Sequence, residues 1–139
     1  MTNSHQRFLG FAFVGAIGFV VDATILTVLM KGFGFGPYAA RAISFGAAVT
    51  VTWYLNRRWV FDHQAMPMSR REYGSYVVVQ TIGALINLGV FVLVIRALPN
   101  LIDIPVIPLA IGSGVAMLFN FVASGRWVFA SPKNRGTDG

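Results

Sequence analysis

Four long apolar stretches divided by short polar ones set the pattern of this chain. They run roughly from Phe8 to Met30, Tyr38 to Leu55, Tyr76 to Ile95 and Val106 to Ala123. Within each stretch the apolar residues are continuous rather than alternating, which predicts helices and not the strands of a barrel. A bilayer core of about 30 Å takes about 20 helical residues at about 1.5 Å each, so all four stretches read as transmembrane helices. The second and fourth are slightly short, and the Trp-Val-Phe sequences that follow can carry them into the interface. Pro37 stands at the start of the second span, and Pro105 and Pro108 at the start of the fourth. In the first turn of a helix no amide donor is needed, so proline fits there.

The pattern also repeats. Arg58-Trp59-Val60-Phe61 returns as Arg126-Trp127-Val128-Phe129, and Ala42 and Gly46 return 68 places on as Ala110 and Gly114. With an offset of 65, Val14, Ile17, Gly18 and Lys31 return as Val79, Ile82, Gly83 and Arg96, whereas Asp22 becomes Asn87. The expected fold is therefore all-α, four transmembrane helices built as two helical-hairpin repeats, about 7–61 and about 72–129, in one domain over 1–139. A polar cytoplasmic tail is expected over 130–139. Two spans per repeat give the copies the same direction through the membrane. Small residues four apart, Ala42/Gly46 with Ser44/Ala48 and Ala110/Gly114 with Gly112/Ala116, let helix backbones approach closely.

Composition narrows the class. The chain is 55% hydrophobic and 12% charged, too little polar surface for a soluble domain of 139 residues. Its first apolar run is too long for a signal-peptide core and lacks a small-x-small exit, so it is expected to remain as a span. The absence of cysteine removes disulfides and thiolate metal sites. With four spans, Arg7, Arg57, Arg58, Arg70, Arg71, Arg126, Lys133 and Arg135 share one side, and Lys31, Arg41 and Arg96 the other. That excess places both termini in the cytoplasm. The net charge of +6 clusters at span ends, which suits anionic membrane lipids rather than nucleic acid.

Asp22 is the residue most costly to bury. An acid within a span costs on the order of 2.5–3.5 kcal/mol, so a functional role is its default reading. Gly18 sits one turn away on the same face, leaving room for a helix or a ligand. Arg41, at the outer start of the next span, is the best candidate partner, whether as a structural clamp or as part of a translocation path. The second copy carries Gln80 and Asn87 on one stripe, and Asn120 lies inside the fourth span. Arg58 and Arg126, with Trp59 and Trp127 beside them, read either as interface anchors or as guanidinium forks for a lipid phosphate. Arg57 adds to the first of these sites. No nucleophile stands with a base, no metal-ligand spacing involves His5 or His63, and no glycine-rich loop follows a strand. No enzyme activity, metal or cofactor is expected.

These residues resemble the GtrA-like family of small bacterial membrane proteins over nearly the whole chain, from Arg7-Phe8 through Phe129. The most specific parts are Gly18-x-x-x-Asp22, Leu55-Asn56-Arg57-Arg58-Trp59-Val60-Phe61, and Asn120-Phe121 followed by Arg126-Trp127-Val128-Phe129. The family commonly has Asn-Phe ahead of the Arg-Trp block, where the first copy here has Thr52-Trp53, and Ser124 stands where the first copy has Asn56. The resemblance implies translocation of a polyprenyl-phosphate-linked sugar, such as undecaprenyl-phosphate glucose, across the bacterial inner membrane for cell-surface polysaccharide synthesis. A membrane glycosyltransferase would make that lipid on the cytoplasmic side. Because a related region occurs fused to polyprenyl-phosphate sugar synthases, a non-transporting scaffold or anchor is the alternative. A proton-coupled exporter would share four spans and a first-span acid, but the repeat and the paired Arg-Trp ends argue against it. Four short helices enclose little polar volume, which favours a homo-oligomer, a dimer.

Overall fold

The computed structural model describes residues 3–61, 67–104 and 106–130, and every regular element in them is helical. Helix α1 covers Ser4–Thr27, α2 Pro37–Leu55, α3 Arg70–Ala97 and α4 Val106–Ala123. Three of them end in a wider π turn or run into one: Val28–Gly32 after α1, Asn56–Val60 after α2 and Ser124–Val128 after α4. A short 3₁₀ helix, Pro99–Asp103, leads from α3 toward α4. Asp62, His63 and Pro105, and the tail with Lys133 and Arg135, lie outside the described residues.

Among the described residues, three helical stretches are long and apolar enough to cross a membrane: Ser4–Gly32, Arg70–Ala97 and Val106–Val128. The sequence pattern leads one to expect four. The difference lies in α2, where Arg41, Thr50, Thr52, Trp53 and Tyr54 dilute the apolar residues. The helices also extend beyond the apolar runs. Asn3 caps α1 by accepting from the His5 amide at 3.1 Å, and Ser69 caps α3 by accepting from the Glu72 amide at 3.1 Å. Ser69-x-x-Glu72 has the sequence of a capping box, which fixes the start of α3 six residues ahead of the apolar run at Tyr76.

The chain divides into two compact units, Met1–Pro67 and Met68–Gly139. In the first, α1 and α2 form an antiparallel hairpin. The start of α1 meets the end of the α2 limb, where the Phe11 and Phe61 rings pack edge-on with centroids 6.2 Å apart. Further along α1, Gly18 lies against Thr52 and beneath the Ala48 carbonyl. Between the helices the chain turns at Gly34, whose φ of +69° is a conformation that side chains with a Cβ rarely adopt. The buried positions Phe11, Val14 and Gly18 on α1, and Ala40, Ser44 and Ala48 on α2, recur every three or four residues, one stripe per helix.

The second unit is built likewise from α3 and α4. Tyr76 and Phe129 pack with centroids 6.0 Å apart, Gly83 lies against the Asn120 amide, and Gly112 against the Asn87 side chain and carbonyl. Taken position by position at the offsets read from the sequence, the units bury the same places: Val14 and Val79, Gly18 and Gly83, Ser44 and Gly112, Ala48 and Ala116, Val60 and Val128. The second small-residue stripe of each unit, Ala42/Gly46 and Ala110/Gly114, is exposed.

Close contact at Gly18 has a measurable consequence. A Cβ there collides with the Thr52 methyl, whereas one at Gly15 meets nothing within 4 Å. Gly18→Ala should lose about 1–3 kcal/mol through overpacking, and Gly15→Ala should be neutral or gain about 1 kcal/mol through helix propensity. Thermal unfolding in detergent distinguishes them; equal melting temperatures would contradict the packing described.

Candidate functional site

The antiparallel hairpin of the first unit brings Asp22, one turn beyond Gly18, level with Arg41 near the start of α2. Arg41 Nη1 donates to Asp22 Oδ2 at 2.5 Å. The two side chains differ in setting: that of Asp22 is 16% exposed and that of Arg41 55%, so the arginine reaches inward from an open position. Asp22 Oδ1 is buried and has no hydrogen-bond partner among the described residues. The carboxylate is thus held by one cation on one oxygen, with a second acceptor oxygen unused. Such a pair suits both a clamp between helices and a relay that a polar group passing along the hairpin could engage.

The second unit answers with neutral groups. At the offsets that relate the units, Asp22 is replaced by Asn87 and Arg41 by Leu109, so both charges are missing together. Asn87 Nδ2 donates to Ser113 Oγ at 3.4 Å, and Asn120 Nδ2 donates to Gln80 Oε1 at 3.3 Å. The Gln80 and Asn87 stripe on α3 is therefore divided between two partners on α4. Sequence reading finds the stripe but misses Ser113, whose hydroxyl is placed by the close approach at Gly112.

The two Arg-Trp blocks lie in the π turns that close α2 and α4. The Phe61 amide donates to the Asn56 carbonyl at 2.9 Å and the Phe129 amide to the Ser124 carbonyl at 2.8 Å, each spanning five residues. A π turn shifts the side chains that follow it relative to an α-helix, and such turns recur at functional sites. Val60 and Val128 are buried and hold each block in place, while Trp59 and Trp127 are 47% and 66% exposed. Arg58 and Arg126 are exposed too. Arg58 Nη1 donates to the Tyr54 hydroxyl at 3.0 Å, one helical turn back, a partner that the spacing could have revealed. Arg57 is placed otherwise: it is 3% exposed. Its burial leaves Arg58 and Arg126 as the outward guanidiniums of these turns, each with a tryptophan beside it.

Residues 10–129 match the family described as GtrA/DPMS, transmembrane domain. The chain belongs to that family. As a GtrA/DPMS protein it is a multi-pass membrane protein linked to polyprenyl-phosphate sugar processes. A comparison with curated proteins finds no match. The matched range takes in most of α1, all of α2, α3 and α4, the Asp22–Arg41 pair, the amide pairs of α3 and α4, and both Arg-Trp blocks.

A clamp and a relay respond differently to substitution. Asp22→Asn leaves Arg41 without its carboxylate, and Arg41→Gln leaves Asp22 charged and unmatched. If the pair is a clamp, each single change should cost roughly 1–3 kcal/mol, discounted for the exposure of Arg41, and the double change should recover much of it. Melting temperatures of the three variants in detergent check this. Additive losses in the double variant would contradict any coupling between the two residues.

Proposed function

We propose that this protein carries a polyprenyl-phosphate-linked sugar across the bacterial inner membrane, for the synthesis of a cell-surface polysaccharide. The observation that carries the reading is the family match over residues 10–129. The geometry supports each part that such a lipid requires. Arg58 and Arg126, exposed next to Trp59 and Trp127, offer guanidinium forks at headgroup depth for the phosphodiester. Asp22, Arg41, Gln80, Asn87 and Asn120 offer polar contacts to a sugar within the span region. The apolar tail would run along the exposed apolar faces of the helices.

In this reading all four helices cross the membrane, α2 being admitted as a span because Arg41 is matched by Asp22. Each hairpin would be one copy of a repeated ancestral unit. Both termini and the 62–69 connection would face the cytoplasm, in keeping with the eight-to-three division of basic residues. The protein would act without a catalytic group or cofactor of its own, beside a membrane glycosyltransferase that makes the lipid-linked sugar. It would work as a homodimer, for which the exposed stripes Ala42/Gly46 and Ala110/Gly114 are suited to close helix contact.

The family description joins GtrA with DPMS transmembrane domains, which favours a second reading, a scaffold or anchor for the glycosyltransferase. Cells separate the two. On deletion of this protein with the glycosyltransferase intact, translocation predicts that the lipid-linked sugar accumulates while its delivery to the outer surface falls. A scaffold predicts that its synthesis falls. Radiolabelled sugar-lipid measured in inner-membrane vesicles decides; reduced synthesis without accumulation would overturn translocation.

A further inference from the structure

We infer that the Gln80–Asn120 couple of the second unit is a subsite for one hydroxyl group, and that the hydroxyl it reads belongs to the sugar. The inference rests on the function proposed above and deepens it. A side-chain amide carries two N–H donors and one acceptor oxygen. The couple joins Asn120 Nδ2 to Gln80 Oε1 at 3.3 Å, which leaves Gln80 Nε2 and Asn120 Oδ1. Both of these atoms are buried and without a hydrogen-bond partner among the described residues. The remainder does not depend on which way the amides are turned. Exchanging oxygen and nitrogen in both residues reverses the direction of the bond and still leaves one nitrogen and one oxygen unpartnered.

An unmatched donor beside an unmatched acceptor is costly away from water, and helical backbone around them is already paired. The groups that could answer differ in what one atom offers. A phosphodiester or carboxylate oxygen accepts only, and an ammonium donates only. A hydroxyl oxygen accepts from Gln80 Nε2 while its proton goes to Asn120 Oδ1, so one atom satisfies both. Sugars present such groups on every side, and a water molecule offers the same chemistry from another source.

The site is particular to the second unit. The matching positions in the first unit are Gly15, which has no side chain, and Thr52, whose hydroxyl donates to the Val49 carbonyl at 3.1 Å. It is also shaped by its backbone. A Cβ at Gly83 would collide with the Asn120 amide itself, so glycine there is what admits the asparagine to this position. Asn87, two turns further along α3, has Ser113 as its partner, which leaves the Gln80–Asn120 couple, among the described residues, as the amide pair with a donor and an acceptor both to spare.

The test uses the purified full-length protein in detergent with two probes, polyprenyl phosphate and polyprenyl-phosphate glucose, and reads retention by native mass spectrometry. The wild type should hold the glucose lipid about tenfold more strongly than the bare lipid, the equivalent of one or two hydrogen bonds. Gln80→Leu with Asn120→Leu removes donor and acceptor together and strands neither, so the protein should fold and hold both lipids equally, at the wild-type level for the bare one. Gly83→Ala, which displaces the Asn120 side chain while keeping both amides, should lose the preference as well. Preference that survives in these variants overturns the subsite. So does a wild type that binds both lipids equally, above all if the double leucine variant melts higher, because the couple then holds a water or nothing; the proposed function survives that result. Binding of neither lipid by the folded wild type overturns the subsite and the function together.

Discussion

Helices in a bilayer gain little from burying apolar side chains against one another, since lipid is as apolar as leucine. What brings each hairpin together here is close backbone approach at glycine, and the polar groups inside follow from it. Gly18 lets α2 come near enough for Thr52 to touch α1; Gly83 and Gly112 do the same for Asn120 and Asn87 in the second unit. Asp22 stands one turn beyond Gly18, so the contact that joins the helices also fixes the level at which Arg41 meets the carboxylate. Were the helices held apart by larger side chains, each polar group would face hydrocarbon unmatched.

On this shared frame the two units carry different polar chemistry. The first has an ion pair, the second amides and a hydroxyl, and the exchange involves both members of the pair, Asp22 to Asn87 and Arg41 to Leu109. That is the pattern expected when charges in apolar surroundings depend on each other: losing both is tolerated where stranding one is not. In the function proposed, the repeated part, the π turn with its exposed arginine and tryptophan, would meet the phosphate of the lipid-linked sugar. The unrepeated part would meet the sugar.

Much of this was legible in the sequence because it rests on local pattern. Continuous apolar runs give the helices, the recurring Arg-Trp-Val-Phe blocks mark the ends of α2 and α4, and the Gly18-x-x-x-Asp22 spacing places an acid one turn beyond a small residue. Other features depend on three-dimensional register. Gln80 and Asn87 share a stripe on α3, yet they bond to different residues of α4, because the contacts at Gly83 and Gly112 set how α3 and α4 align. Arg57 and Arg58 are neighbours of equal charge in the sequence, and the π turn at Asn56–Val60 accompanies the burial of one and the exposure of the other. No residue type announces a π turn. The lower apolar character of α2 was readable from Arg41 and the threonines, but the long apolar runs around it mask that weakness.

If the protein itself moves a sugar-bearing lipid between leaflets, it should do so in reconstituted membranes without a partner. Liposomes containing only the purified protein are loaded on one leaflet with polyprenyl-phosphate glucose, and its appearance on the other is followed by access of a periodate probe to the sugar. Transfer should run well above that of protein-free liposomes, and most of it should be lost in a variant with both Arg58 and Arg126 changed to glutamine. Transfer no faster than in protein-free liposomes, by protein that is folded and retains the lipid, would contradict it and leave the protein a scaffold.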